Sequence, residues 1–285
     1  MKLSAVVPVT RMYGRLSTLN KWVNEALAFG IEVVLSHDYQ DPETEKELIA
    51  LTKQFDNPLL KLVSKKVNSP GLARNVGLEQ ATGDWITFWD CDDIPSPGLY
   101  IRMIEIAESK GFDIAIGDFV TSDEQGEVVS QHLTENSLER TINTPGIWRY
   151  VFKKSRIQKK KFEKMKMGED QLFLANLELM NSQIYFHNQI VYKYKIGHTG
   201  RLSNNDKAVG ELIEAIRGLW LVQSWQAASN QFSNCLFVRL NLSLIKTGNI
   251  SQKWFALINL ITFLKIKGSL IVFAKVIKGI LSDKK

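Results

Sequence analysis

Three carboxylates crowd the end of an apolar run in this chain, Trp85-Ile-Thr-Phe-Trp-Asp90-Cys-Asp92-Asp93. A buried strand that ends in clustered acids places negative charge where open α/β sheets hold ligands, in the crevice beyond the carboxyl ends of the strands. Two uses fit such a cluster. The acids hold a divalent cation through oxygen ligands, which suits Mg2+ or Mn2+ beside a phosphate-bearing substrate, or they form a solvated turn that caps the next helix near Ser96. A second pair, Glu169 and Asp170, opens a segment of helical pattern, where negative charge is stabilised by the helix dipole without further purpose. Together the two sites match an enzyme that moves an electrophilic group from a nucleoside diphosphate to a hydroxyl. Such an enzyme needs a metal on the diphosphate and a separate carboxylate to take the hydroxyl proton.

The elements that must carry these residues read as an α/β domain. Over the first 120 residues, short β-rich runs alternate with amphipathic segments, the pattern of βαβ units around a mostly parallel sheet with helices on both faces. Strands are expected at Leu3 to Val9, Ile31 to Ser36, Leu60 to Ser64, Trp85 to Trp89 and Asp113 to Phe119. Four pairs, Asp41-Pro42, Ser69-Pro70, Ser96-Pro97 and Thr144-Pro145, each set a capping side chain before a proline at a first helical position. The last of them predicts a helix from Pro145 through Lys154. Thr121 to Gly126 reads as the turn of a hairpin, Ser182 to Ile196 as one or two strands, and everything from Asp206 onward as helical. The expected division is a catalytic domain over 1–205 and a helical appendage over 206–285.

Composition narrows the setting. The chain has 285 residues, a hydrophobic content of 45% and a net charge of +6, so it can bury a sizeable core and favours an anionic partner. Residues 153–166 hold eight Lys or Arg against one Glu, and 252–285 hold seven Lys against one Asp. The lysines of the first run are not interleaved with aromatic residues, which speaks against nucleic acid as a partner. Two distant cysteines, Cys91 and Cys235, give no zinc spacing and no expected disulfide. The first nine residues read as a strand rather than a signal sequence, so a cytoplasmic location is expected. Lys265 and Lys267 interrupt the C-terminal apolar stretch, which argues against a spanning helix. Lys267, Lys275, Lys278 and Ser282 share one helical face, with Leu270, Phe273, Ile277 and Leu281 elsewhere; this composition suits a helix lying on the anionic inner face of a membrane, the alternative being a helical pair packed on the catalytic domain.

The string Ser69-Pro-Gly-Leu-Ala-Arg74-Asn75-Val-Gly77, followed by Ala81-Thr-Gly83-Asp84 and the acid cluster, resembles the core of family 2 glycosyltransferases with the GT-A fold. The likeness extends back to Ala5-Val-Val-Pro8-Val and to Ile31 through Asp41. It extends forward to Gly168-Glu169-Asp170 and to Val191 through Asn204, covering roughly residues 1–205. It implies an inverting transfer of sugar from a nucleotide sugar, most simply a UDP-sugar, to a glycan or lipid-linked acceptor in bacterial surface polysaccharide assembly. By the same likeness, Pro8, Val9 and Thr10 form part of the nucleoside pocket wall and Asp38 accepts a hydrogen bond from the base. Arg74 lies near the base or diphosphate. Asp90 and Asp92 match the Asp-x-Asp metal pair, with Asp93 as a direct or indirect helper. Asp170 matches the general base with Glu169 in reserve, and His198 and Arg201 sit in a loop that closes over the diphosphate.

The chain also departs from that pattern. His37-Asp38-Tyr39-Gln40 stands where the family has two adjacent acids and a Gly-Ser, and Thr10-Arg-Met-Tyr-Gly14 replaces a polar Asn-rich turn. Arg74 has a plain alternative, pairing with Glu79 or Asp84. For the whole chain the alternatives are an inactive glycan- or nucleotide-binding module and a sugar nucleotidyltransferase. The latter normally carries a glycine-rich turn after its first strand, where only Gly14 is present here.

Overall fold

The computed structural model describes residues 2–177, 179, 182–197, 206–222 and 231–267. The chain forms two compact units that interleave in sequence: Met1–Asn136, Gly146–Lys164 and Gln183–His198 in the first, and Ser137–Pro145, Met165–Ser182 and Thr199–Lys285 in the second. Residues 137–145 and 165–182, upstream of the division expected near 205, thus group with the C-terminal helices.

The first unit is built on a nine-stranded sheet. Its opening half is β1 (Leu3–Val9), α1 (Ser17–Ala28), β2 (Glu32–His37), α2 (Pro42–Phe55), β3 (Leu60–Ser64), α3 (Pro70–Gln80) and β4 (Trp85–Phe88). β1 pairs in parallel with both β2 and β4, and β2 with β3. Strands covered on both faces read as unbroken apolar runs, and β1, β2 and β4 are buried almost throughout. Two of the expected caps form: the Asp41 carboxylate accepts the Thr44 N–H at 2.6 Å, and the Ser69 hydroxyl accepts the Leu72 N–H at 3.4 Å. Ser96 precedes α4 (Pro97–Ser109) without a side-chain cap bond.

The second half departs from the expected helix over 145–154. Thr144-Pro145 leads instead into a 3-10 turn, Ile147–Arg149, and a strand, β8 (Tyr150–Lys153), inserted antiparallel between β4 and β6 (Ile114–Ser122) and followed by a single helical turn, α6 (Lys154–Ile157). Tyr150, Val151 and Phe152 are wholly buried there. A short apolar run cannot be assigned to helix or strand by periodicity alone, and pairing on both edges decided for strand. β6 turns at Gly126 into β7 (Val128–His132), the expected hairpin, and pairs in parallel with β9 (Ile184–Lys195). The two-residue β5 (Ile94–Pro95), directly after the acid cluster, pairs antiparallel with β9. The sheet order is β3-β2-β1-β4-β8-β6-β9-β5. The core beneath it gathers Trp22, Trp85, Trp89, Tyr100, Trp148 and Tyr192 among aliphatic residues.

In the second unit, α5 (Leu138–Asn143) and α7 (Glu169–Asn176) pack with α8 (Asp206–Val222), α9 (Gln231–Thr247) and α10 (Ile250–Lys267). Trp220 meets Phe237 edge-on at 4.9 Å and donates its indole N–H to Asn259 at 3.1 Å, while Phe237 stacks on Phe263 at 5.4 Å. Among the described residues, no helix is long and apolar enough to cross a membrane. The amphipathic segment expected over Leu270 to Leu281 lies outside the described residues.

Candidate active site

Because β1, β2 and β4 run parallel and in register, with Val9 opposite His37 and Val6 opposite Phe88, the residues that follow them emerge at one sheet edge. The chain runs from β1 to β2 and β3 on one side and then crosses back to β4 on the other. The gap between β1 and β4 is therefore a topological switch point, where open α/β sheets bind their ligands. Thr10, Asp38 and Asp90 all stand at this edge.

Asp38 is buried, and its backbone N–H donates to the Val9 carbonyl at 2.8 Å. Its Oδ1 accepts the backbone N–H groups of Val67 and Asn68 at 2.9 and 3.0 Å, and its Oδ2 accepts the Gln40 amide at 3.0 Å. Gln40 is steered in turn by Arg11, whose guanidinium donates to the Gln40 Oε1 at 2.7 Å. The carboxylate expected to face a base thus also braces the loop leading into α3. Thr10 donates to the Asp38 carbonyl at 3.3 Å, Pro8 is half-buried and Val9 is buried. His37, where the family pattern has an acid, is buried with Nδ1 3.3 Å from the Ser64 hydroxyl. Burial lowers its pKa despite nearby Glu45, Asp41 and Asp38, so His37 adds no cation to this edge at neutral pH.

The acid cluster divides by exposure. Asp90 and Asp92 are half-buried, whereas Asp93 is fully buried. Asp93 Oδ2 accepts the Tyr192 hydroxyl at 3.1 Å and its Oδ1 accepts the Lys195 N–H at 2.8 Å. The same Tyr192 oxygen accepts the Asp90 N–H at 3.0 Å. Burial, with Asp93 and Asp90 close by, raises the Tyr192 pKa well above the usual phenol value, so the proton stays on the oxygen and the tyrosine donates. Burial likewise pushes up the Cys91 thiol, as do its acidic neighbours, which keeps it protonated. Among the described residues, no group of three or more His, Cys, Asp or Glu is arranged to hold a metal ion. A magnesium-like cation delivered with phosphates, however, takes only one or two protein carboxylates and fills its remaining positions with phosphate oxygens and water. The half-open Asp90 and Asp92 fit that requirement.

Arg74 reaches this edge from α3. It is buried, and its guanidinium donates to Asp90 Oδ1 at 2.9 Å while lying 5.7 Å from the Phe162 ring centre. Asp90 is therefore its partner, in place of Glu79 or Asp84. Gly77 sets the helix close: a Cβ there would stand 2.6 Å from Val6 Cγ1 and 3.2 Å from Ser36 Cβ. Asn75 clamps the Phe162 backbone, donating to its carbonyl at 2.8 Å and accepting its N–H at 2.9 Å. Part of the basic run is engaged on the first unit, with Lys161 paired to Glu79 at 2.8 Å, Lys153 to Asp113 at 3.2 Å and Lys154 bonded to the Ala81 carbonyl at 2.7 Å.

In the second unit, Glu169 and Asp170 form the first turn of α7, as expected. Glu169 is buried and Asp170 half-buried, with its Oδ1 accepting the Gln171 N–H at 2.8 Å. Gly168 precedes them at φ +86°, and a Cβ there would meet Ala215 at 2.8 Å. His198 and Arg201 lie outside the described residues.

The model of glycosyl transferase family 2 matches residues 4–181, more than half of the chain, and takes in both acidic sites. The chain belongs to glycosyl transferase family 2. The chain is 28% identical over 198 residues to the succinoglycan biosynthesis protein ExoO of Rhizobium meliloti, covering 61% of this chain and 56% of that protein. To the GalNAc(5)-diNAcBac-PP-undecaprenol beta-1,3-glucosyltransferase of Campylobacter jejuni it is 25% identical over 196 residues, covering 65% and 62%. The chain thus spans little more than half the length of these relatives. Among solved structures, that of S. aureus TarS 1-349 in complex with UDP-GlcNAc is similar with a TM-score of 0.71 at 18% identity, over 98% of this chain and 89% of that one. The mannosyltransferase PcManGT of Pyrobaculum calidifontis, solved with GDP-Man and Mn2+, is similar with a TM-score of 0.55 at 11% identity, over 99% and 86%. These likenesses establish the fold, a GT-A α/β sheet with C-terminal helices.

Tyr192, Gln40 and Asn75 lie within the quoted motifs, but the motifs do not say what each holds: the acidic turn, the Asp38 carboxylate and the Phe162 backbone. Tyr192 is 102 residues from Asp90 in sequence and 99 from Asp93, so no spacing joins them. Trp148 stacks on Tyr192 at 4.4 Å and holds the ring in place.

Proposed function

We propose that the glycosyltransferase moves a sugar from a UDP-sugar to a hydroxyl of a glycan or lipid-linked acceptor, with inversion, in assembly of a bacterial surface glycan. The observation that carries this reading is the gathering of Thr10, Asp38, Arg74, Asp90 and Asp92 at the switch point of a family 2 sheet. The nucleotide is supported by the UDP-GlcNAc bound to TarS, and the acceptor class by the undecaprenol-linked substrate in the Campylobacter relative's name.

In this reading Asp38 and the Pro8–Thr10 strand end receive the nucleoside. Arg74 fixes the Asp90 carboxylate, and Asp90 and Asp92 present oxygens toward the diphosphate. A divalent cation, Mn2+ or Mg2+, would be held by Asp92 with Asp90 and would neutralise charge on the departing diphosphate when bound; Asp93 acts through Tyr192 to shape the turn. Asp170 takes the proton of the acceptor hydroxyl. That oxygen bonds to the anomeric carbon from the face opposite the leaving group as the bond to the β-phosphate oxygen breaks, so the configuration inverts. Glu169 is the reserve base, and His198 and Arg201 are assigned to the diphosphate. We place the reaction in the cytoplasm, at the inner face of the membrane.

The test is transfer from a UDP-sugar by Asp92→Ala and Asp170→Asn. Each abolishes transfer while leaving the unfolding midpoint unchanged, and full activity of either variant overturns the mechanism. A thermal-shift series of nucleotide sugars with Mn2+ identifies the donor, because a ligand bound to the native state raises apparent stability with the logarithm of its saturation.

A further inference from the structure

The α10 helix is apolar on both sides. Ala256, Leu260 and Phe263 are buried in the second unit, yet on the opposite side Ile250 is 77% exposed, Trp254 61%, Ile258 59%, Ile261 45% and Leu257 40%. With about 100° between successive residues, these five side chains fall within an arc of about 100°. Single exposed apolar residues are ordinary. A continuous row of five along a helix is not, and marks a surface that something covers.

Charge selects the occupant. Lys253 and Lys265 are exposed on the same helix, and from Ala215 to Ser282 the chain holds eight Lys or Arg and not one Asp or Glu. A second copy of the chain would set this cationic face against its own lysines, an arrangement that like charges oppose. A bilayer with anionic headgroups satisfies both features: the apolar row enters the boundary with the acyl chains and the lysines meet the phosphates. Trp254 is of the residue type enriched at that interface.

We infer that α10 lays its Ile250, Trp254, Leu257, Ile258 and Ile261 face on an anionic bilayer surface. The inference rests on the peripheral placement proposed above and supplies a contact surface for it, distinct from the lysine-rich segment beyond residue 267.

Flotation of the full chain with phosphatidylglycerol-containing vesicles, and with phosphatidylcholine vesicles as the neutral control, tests it. The unaltered chain floats with the anionic vesicles. In Trp254→Gln/Ile258→Gln/Ile261→Gln the partition coefficient falls roughly tenfold or more, and Lys253→Glu/Lys265→Glu loses the preference for the anionic vesicles. Because these positions are exposed, the unfolding midpoint and transfer to a water-soluble acceptor stay unchanged. The single variants Trp254→Gln and Ile258→Gln show the same loss in smaller measure. If the unaltered chain floats and the apolar variants float equally, the assignment to α10 is wrong while the peripheral placement stands. If the unaltered chain does not float, the placement and the assignment both fail. Self-association of the unaltered chain that the apolar variants abolish would give the face to a second copy and overturn the bilayer.

Discussion

The Tyr192 hydroxyl donates to Asp93 Oδ2 at 3.1 Å and accepts the Asp90 N–H at 3.0 Å. One buried oxygen from β9 thus spans both ends of the acidic turn after β4. The turn is held from two sides, since Arg74 fixes the Asp90 carboxylate from α3. Preorganised acids of this kind lose no binding energy to rearrangement when a charged donor arrives.

Tyr192→Phe removes only that oxygen and preserves the stack on Trp148. It leaves Asp93 and the Asp90 N–H each short of a buried bond, which costs about 1–3 kcal/mol of stability by urea denaturation. Calorimetric titration with UDP and Mn2+ shows weaker binding than in the unaltered protein. Unchanged affinity would mean that the tyrosine braces the fold without shaping the site.

Arg74→Lys keeps the charge and loses the planar guanidinium that lies over Phe162 and reaches Asp90. Lysine does not reproduce that geometry. UDP-sugar affinity drops about tenfold, the scale of one charge-assisted bond. Equal affinity in the lysine variant would show that positive charge alone is required.

Gly168→Ala places a Cβ 2.8 Å from Ala215 at a residue whose φ is +86°. Both effects disturb the start of α7, at a combined cost of about 1–3 kcal/mol. Transfer falls further than stability, because Asp170 sits in that first turn. Thermal unfolding and a transfer assay on the same preparation separate the two losses.

Away from the site, Glu32 is buried at the start of β2 and accepts from Ser4, from both donors of Thr82 and from Lys61 at 2.8 Å. Burial raises its pKa, but the bonds from Lys61, Ser4 and Thr82 outweigh it and lower the value from 4.5 to about 2. A carboxylate depressed in the folded state stabilises the protein above its unfolded pKa, and that stabilisation is lost as pH falls through the folded value. The sensitive window therefore runs from about 4.5 down to about 2. Glu32→Gln is less stable at pH 7 by roughly 3 kcal/mol and shows a flatter decline across the window. An unaltered slope in acid denaturation of that variant would remove Glu32 from this role.

By itself the sequence determined the elements whose character is local. β1 and β3 begin and end where their apolar runs do, Asp41 and Ser69 cap where a side chain precedes proline, and Glu169 and Asp170 open α7. Asp90 could be named because it ends an apolar run, and Thr10 and Asp38 through the family resemblance; parallel strands deliver all three to one edge. Only the tertiary structure decided that Tyr150 to Lys153 is a strand, since its pairing with β4 and β6 overrides a helix-start signal at Thr144-Pro145. It alone showed that Asp93 is buried while Asp90 and Asp92 stay half-open, because the partners that draw it inward, Tyr192 and Lys195, come from a strand about a hundred residues away. Strand propensity and capping are written into neighbouring residues. Which carboxylate is buried, and what it bonds to, depends on the order in which strands pack.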